Sequence, residues 1–259
     1  MVKLITQSRI NKHLKSKKKV KSLLFTTSTN DILKNLILKG KNYDAVVSEM
    51  QFKGRGRIQR KFHSPSFSGI YITARLKKSF DFFDVGKITT CVAVMVCRTI
   101  ESLYGVQTNV KWVNDVFVGG KKVAGILAES VIVNNKIKDV LIGIGINVYD
   151  KKFPTKLTDI ATNLEKESGK KIDRNKIIAL LLENLDKISC EIKKDDFIKE
   201  YKSKMFLLNK KVTVISGNES FDAICKDVTC DGKLIVEKDG KEIEISVGDV
   251  SVKAFNNNN

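Results

Sequence analysis

The sequence is short of the residue types that would settle its class quickly. Its five cysteines (Cys91, Cys97, Cys190, Cys225 and Cys230) are scattered, with no C-x-x-C pair, and its two histidines do not complete a zinc set. An odd count without a dense framework suits a reducing compartment rather than a disulfide-stapled secreted scaffold. No apolar run approaches the roughly 18–20 residues of a membrane-spanning helix. The N-terminus has no secretory apolar region. These absences point to a cytoplasmic protein with no membrane association. Residues 1–23 contain eight basic residues and no acid, which leaves organelle targeting by this leader open. Proline occurs only twice among abundant lysines. That composition also arises from AT-rich coding, so surface lysines alone identify no ligand.

What is present is enough for a core. The chain has 259 residues, 42% of them hydrophobic, which fits one large domain or about 200 residues plus a small second unit. The net charge is +18, and residues 1–23 together with Gln51–Lys61 supply +13 of it. Such a balance favours polyanions, nucleotides or acidic partners and says nothing about fold.

Residues 22–30, "SLLFTTSTN", predict a strand ending in polar residues. A helix follows over 30–40, with Thr29, Asn30 or Asp31 as N-cap and Gly40 as its stop. Residues 44–50 and 68–76 predict strands, and 86–105 a buried helix bounded by glycines. Residues 108–133 predict a strand, a Gly-Gly turn and a returning strand, and 138–148 a further apolar strand containing Gly143 and Gly145. Residues 173–193 have amphipathic helical spacing with Asp173 as N-cap, and 195–204 continue helical. From about 207 the texture changes to short alternating strands. Turns at Gly217-Asn218, Asp231-Gly232, Asp239-Gly240 and Gly248-Asp249 separate them, as in a small β-barrel. The predicted division is a basic leader at 1–22, a catalytic domain at 23–206, a β-domain at 207–255 and a disordered Asn-rich tail at 256–259.

Three stretches could carry chemistry. In "QFKGRGRIQRKFHSP" (51–65), glycines that admit close backbone approach alternate with arginines. Amides and guanidiniums can then converge on phosphate or carboxylate. No G-K-[ST] follows, so it is not a Walker loop. An Arg-Gly nucleic-acid arm is the rival, although such arms usually sit in low-complexity sequence and this one lies between apolar strands. In "KWVNDVFVGGKKVAGILAES", strand alternation puts Lys111, Val113 and Asp115 on one face. A Lys–Asp salt bridge is the plain reading, but Asn-Asp is unusual in a strand and needs partners. Lys122 precedes the small residues Ala124-Gly125, where its ammonium can reach a ligand, though an ordinary hairpin lysine reads the same way. In "TSTN" (27–30), hydroxyls and an amide at a helix start either cap the helix or bind a small polar ligand.

In combination and order these segments resemble one family. "STN", "Q-x-x-GRGR-x-x-R-x-x-x-SP", "VKW-x-ND", "KKVAGILAE", "IGIGINV", "FPTKLTDIATNL" and a small C-terminal β-domain are similar to the biotin protein ligases, from about Phe25 to Val252. The resemblance implies an α+β fold: a mixed or antiparallel-sheet catalytic domain of the biotin/lipoate ligase type with an SH3-like β-barrel. It implies activation of biotin by Mg-ATP to biotinyl-5′-adenylate, then transfer to one lysine of a biotin carboxyl carrier domain. Carried over by position, Ser28, Thr29, Asn30 and Gln51 would hold the polar head of biotin. Gly54, Arg55, Gly56 and Arg57 would fold over biotin and the phosphate. Lys122, beside Gly125, would contact both. Lys111, Trp112, Asn114 and Asn147 would form the nucleotide side, with Asp115 as the carboxylate for Mg²⁺ or the acceptor amine. Arg55, Arg57, Lys111, Asp115 and Lys122 are the implied catalytic set.

The sequence departs from the family at Val113 (a proline in "KWPND"), Gln59 and Phe62 (commonly tryptophan). Altered loop rigidity is the expected effect. Only 27 residues precede Ser28, too few for the winged helix of the repressor members, so no sequence-specific DNA binding is expected. A homodimer is compatible with the resemblance. Lipoate or octanoate ligation, and non-enzymatic RNA binding through the leader and loop, are the alternatives.

Overall fold

The computed structural model describes residues 2–57, 60–76, 84–149, 153–194, 196–216, 219–246 and 248–252. The chain runs α1 (Gln7–Asn11), β1 (Val20–Leu23), α2 (Thr29–Leu38), β2 (Ala45–Ser48), β3 (Gly69–Leu76) and α3 (Asp84–Tyr104). Then come β4 (Asn109–Lys111), β5 (Asp115–Val118), β6 (Lys121–Val133) and β7 (Lys136–Asn147). After a 3₁₀ turn at Thr155–Leu157 follow α4 (Leu164–Ser168), α5 (Arg174–Asp186), α6 (Ile188–Glu191) and α7 (Asp196–Lys204). Last are β8 (Lys211–Ser216), β9 (Glu219–Val228), β10 (Leu234–Lys238), β11 (Lys241–Ile245) and β12 (Asp249–Val252). Among the described residues no helix is long and apolar enough to cross a membrane. The expected turn at Gly217-Asn218, the departure at Gln59, the start of the expected 195–204 helix at Asp195 and the Asn-rich tail lie outside the described residues.

The larger sheet has the order β1-β2-β3-β7-β6-β5-β4, with β1 and β2 parallel and the other pairs antiparallel. Alternation along β7 explains its two faces. Val140, Ile142, Ile144 and Ile146 join the main core, to which α3 and α5 also contribute. Leu141 points the other way, into a smaller cluster with Leu33 and Ile37 of α2. Gly143, Gly145 and Asn147 continue on that second face beyond the reach of α2's apolar stripe, and a cavity opens there. The smaller sheet, β11-β10-β9-β8-β12, is wholly antiparallel. The α+β class, the mixed sheet and the C-terminal SH3-like β-domain are those the sequence predicts.

Four local expectations are corrected. The strand expected over 22–30 ends at Leu23, and the N-cap of α2 is Ser28, in extended backbone. The helix expected over 173–193 divides at Lys187, whose N–H bonds to Asn184 O in a tighter turn that buries Ile188. Asp173 is the N-cap as predicted, accepting from Asn175 N and Lys176 N. The strand expected from 108 breaks at Trp112–Asn114, where the Trp112–Val113 peptide is cis. There the polar groups find partners elsewhere: Asn114 exchanges two hydrogen bonds with Ile126, and the Trp112 indole N–H donates to Gly232 O. Lys111 and Asp115 therefore face each other across a tight hairpin rather than along one strand.

The fourth concerns the basic leader, whose expected end after residue 22 falls inside β1. Its lysines lie mostly on the surface, but Ile5 and Ile10 are in the core. Asn175 clasps its backbone, accepting from Thr6 N and donating to Leu4 O. Behind this clasp lies an ion pair between Glu49 and Arg174, 2.6 Å apart, with side chains 2% and 0% exposed. Glu49 also accepts from Ile5 N, and Arg174 donates to Lys3 O and Gly69 O. A buried charge stripped of its partner is costly. Arg174→Met is expected to cost about 3–5 kcal/mol in chemical denaturation.

Candidate active site

A cavity of about 510 Å³ lies on the sheet face beyond the N-terminus of α2. It is lined by thirteen of the residues singled out from sequence: Ser28, Thr29, Asn30, Gln51, Arg55, Gly56, Arg57, Lys111, Asn114, Asp115, Lys122, Gly125 and Asn147. Gly54 and Trp112 are not among the lining residues. Gly54 sits in the loop stem, where a Cβ would lie 2.5 Å from Phe62 O. Trp112 is buried, its ring a platform with the Arg57 guanidinium 5.7 Å from its centroid.

The polar end of the cavity is built at the start of α2. The Ser28 side chain makes no cap hydrogen bond, although Ser28 is the N-cap residue and buried. The Thr29 N–H donates to Gln51 Oε1 over 2.8 Å, and Gln51 Nε2 donates to Ser64 Oγ over 3.1 Å. The Thr73 hydroxyl, wholly buried on β3, lies between Thr29 Oγ1 and Asn30 Oδ1. These side chains fix one another, leaving a preset array of donors and acceptors for a small polar group.

Glycines make the floor. On β6 and β7, Gly125 and Gly145 are opposite partners in the ladder. The Phe62 ring lies on both, and a Cβ at Gly145 would come within 2.5 Å of that ring. A Cβ at Gly143 would come within 2.6 Å of Asn30 Oδ1. The Gly-x-Gly of β7 thus admits an aromatic ring and a buried amide where side chains would exclude them.

The charged wall comes from the loop and the β4–β6 hairpins. The loop itself is a small hairpin: Arg55 bridges Lys61, Phe62 N donates to Gly54 O, and Gly56 N donates to Arg60 O. Arg57 reaches Asn114 Oδ1 at 3.4 Å. Arg55 pairs with Asp31 at 2.7 Å and Glu129 at 3.1 Å. Lys122 Nζ is 2.6 Å from Asp115 Oδ1. The Lys122 backbone is bracketed by the "FPTKLTDIATNL" segment, through Lys122 N to Ile160 O and Thr162 N to Lys122 O. Asn147 Nδ2 donates to Thr162 O, tying β7 to that segment. Burial lowers the pKa of the His63 imidazole, also at the cavity. Burial also raises the Tyr71 phenol to about 12.

Among the described residues no group of three or more His, Cys, Asp or Glu could cage a metal. Asp115 beside Asn114 suits a cation that arrives with its own phosphate ligands, as Mg²⁺ does. Several cations around one cavity, with a neutral polar pocket at its end, suit a reaction that joins two anions. Sequence reasoning gave no role to Thr73 or Glu129, and noted Phe62 only as a departure in the loop. Glu129 and Thr73 touch the site through partners at least 43 residues away, so no local spacing announces them.

Residues 23–147 match the Biotin/lipoate A/B protein ligase family, and residues 207–253 match the Biotin protein ligase C terminal domain. The Bifunctional ligase/repressor BirA of Bacillus spizizenii is 41% identical over 139 residues, 53% of this chain and 43% of that protein. The chain therefore aligns with less than half the length of that relative. The Biotin--[acetyl-CoA-carboxylase] ligase of Mycobacterium tuberculosis is 28% identical over 87% of this chain and 85% of its own. A solved biotin protein ligase from Aquifex aeolicus, in complex with biotin and ATP, superposes with a TM-score of 0.78 at 27% identity. That likeness covers 91% of this chain and 99% of the other.

The glycine floor is testable on its own. Gly145→Ala forces Phe62 off the sheet, and a loss of about 1–3 kcal/mol in thermal or chemical denaturation is expected.

Proposed function

We propose a two-step ligase reaction for this chain, which belongs to the biotin protein ligase family. In the first step a biotin carboxylate oxygen attacks the α-phosphorus of ATP. A carbon–O–phosphorus anhydride forms, the α–β bond breaks and pyrophosphate leaves. In the second, the ε-amine of a lysine on a biotin carboxyl carrier domain attacks the acyl carbon. An amide forms, AMP leaves and the amine loses its proton. The observation that carries this reading is the convergence of the polar head pocket and the cationic wall on one cavity.

Ser28, Thr29, Asn30 and Gln51 hold the ureido head of biotin at the start of α2, and the Phe62 ring, laid on the glycine floor, meets its apolar body. Lys122 lies between the carboxylate and the α-phosphate and offsets their repulsion, most in the transition state, where the two anions are closest. Its pairing with Asp115 holds the ammonium in place before substrate arrives. Arg57, resting on Trp112 and reaching Asn114, closes over the phosphate. Lys111 and Asn147 complete the nucleotide side. Mg²⁺, when bound with ATP, would neutralise phosphate charge, and Asp115 would hold it. In the second step Asp115 orients the incoming amine. A mixed anhydride is water-labile, so the Gly54–Arg57 loop serves to shut water out.

Biotin-dependent ATP–pyrophosphate exchange, with lipoate and octanoate in parallel, tests the reading. Exchange with biotin alone is expected; exchange with lipoate or octanoate instead would move the substrate, and none with any acid would sink the ligase reading. Lys122→Ala is expected to lower exchange by about 10²–10³-fold. Arg57→Ala is expected to release the adenylate faster, seen as more free intermediate by chromatography; unchanged release would remove Arg57 from that role.

A further inference from the structure

The Glu129 carboxylate is the meeting point of two parts of the cavity that are far apart in sequence. It accepts from Asn30 Nδ2 at 2.5 Å and from the Arg55 guanidinium at 3.1 Å. An ionised carboxylate can only accept, so this contact fixes which way the Asn30 amide points. Asn30 Nδ2 must face Glu129, and Asn30 Oδ1 must face the Thr73 hydroxyl. Asn30 is 5% exposed and packs on the bare backbone of Gly143, so a flipped amide would set its carbonyl against the carboxylate.

The same carboxylate reaches the basic loop through Arg55, whose other partner is Asp31 in the first turn of α2. From Asn30 the polar chain runs on through Thr73, Thr29 and Gln51 to Ser64, which donates to Phe62 O. Its two ends are therefore the two stems of the loop hairpin, Arg55 on one side and Phe62–Ser64 on the other. The residues that would grip a ligand's polar head lie between them.

We propose that Glu129 is a positioning residue: it orients the Asn30 amide for the ligand's polar head and holds the Arg-Gly loop down through Arg55. The ligand in this statement is biotin and rests on the function proposed above; the grip on the loop does not. A charge-assisted hydrogen bond that sets another group's direction acts on binding before it acts on chemistry.

The test uses the full chain and two variants, Glu129→Gln and Asp31→Asn. Glu129→Gln keeps the side chain's size but leaves the Asn30 amide free to point either way. It is expected to raise KM for biotin in the exchange reaction about tenfold. The kcat should stay within about twofold and KM for ATP should not move. Tryptic cleavage after Arg55, Arg57 or Arg60, followed without any substrate, should be faster than in the wild type. Asp31→Asn loosens Arg55 without touching Asn30, so it should speed cleavage while shifting KM for biotin less. Melting temperature is read alongside; if Glu129→Gln melts early, the loop arm is decided by Asp31→Asn, on an exposed helical turn.

Wild-type KM and wild-type cleavage in Glu129→Gln would overturn the proposal. So would a fall in kcat at unchanged KM, which would put Glu129 in the reaction itself. Because cleavage needs no substrate, absent biotin exchange would sink the ligase reading while leaving the loop result to decide Glu129.

Discussion

The fold behind the cavity turns on one buried ion pair. Glu49 follows β2 directly, two residues before Gln51, and Arg174 opens α5. Joined at 2.6 Å and sealed from water, they bind the backbone of residues 3–5, the start of β3 and the helix layer to one point. A pair so placed adds little net stability over apolar packing, but neither charge tolerates loss of the other. That makes the pair a register device. Two residues beyond Glu49, Gln51 accepts from the Thr29 N–H. The N-terminal segment, which charge alone would assign to solvent, is drawn into the fold by Ile5 and Ile10 and by its backbone amide and carbonyl.

Much of the site was legible because strand alternation and glycine placement are local facts. "IGIGIN" states its own division into a core face of isoleucines and a floor of glycines, and the Arg-Gly loop declares its need for backbone room. The loop, the Lys122 hairpin and the "STN" turn do line one cavity. Trp112, expected on the nucleotide side, lies buried behind the cavity lining. Its polar atom has instead found an acceptor 120 residues away. Glu129 gave no signal, since a glutamate on an alternating strand looks solvated until the fold brings Asn30 and Arg55 to it. The Trp112–Asn114 break escaped notice for a similar reason: Asn114 leaves the strand pattern to exchange hydrogen bonds with Ile126 on the neighbouring strand.

Charge is organised differently in the two halves of the cavity. At the polar end, amides and hydroxyls bond to one another and Asn30 also donates to the Glu129 carboxylate, which gives a rigid template. Toward the other end Lys122 is held by Asp115, while Arg55 pairs with Asp31 and Glu129 beside Asn30. Pairs of this kind keep their charges in place without neutralising them permanently, because an incoming anion can compete for the cation.

The indole N–H of Trp112 has a further consequence. Its acceptor, Gly232 O, belongs to the small β-domain, while the face of its ring carries Arg57 of the loop. Removing the β-domain would take away that acceptor and uncover the indole that carries the loop's arginine. The β-domain thus works as a buttress for the cavity wall. The larger sheet and the β-domain meet at this hydrogen bond, and a shift of the smaller sheet would tilt the platform on which Arg57 rests.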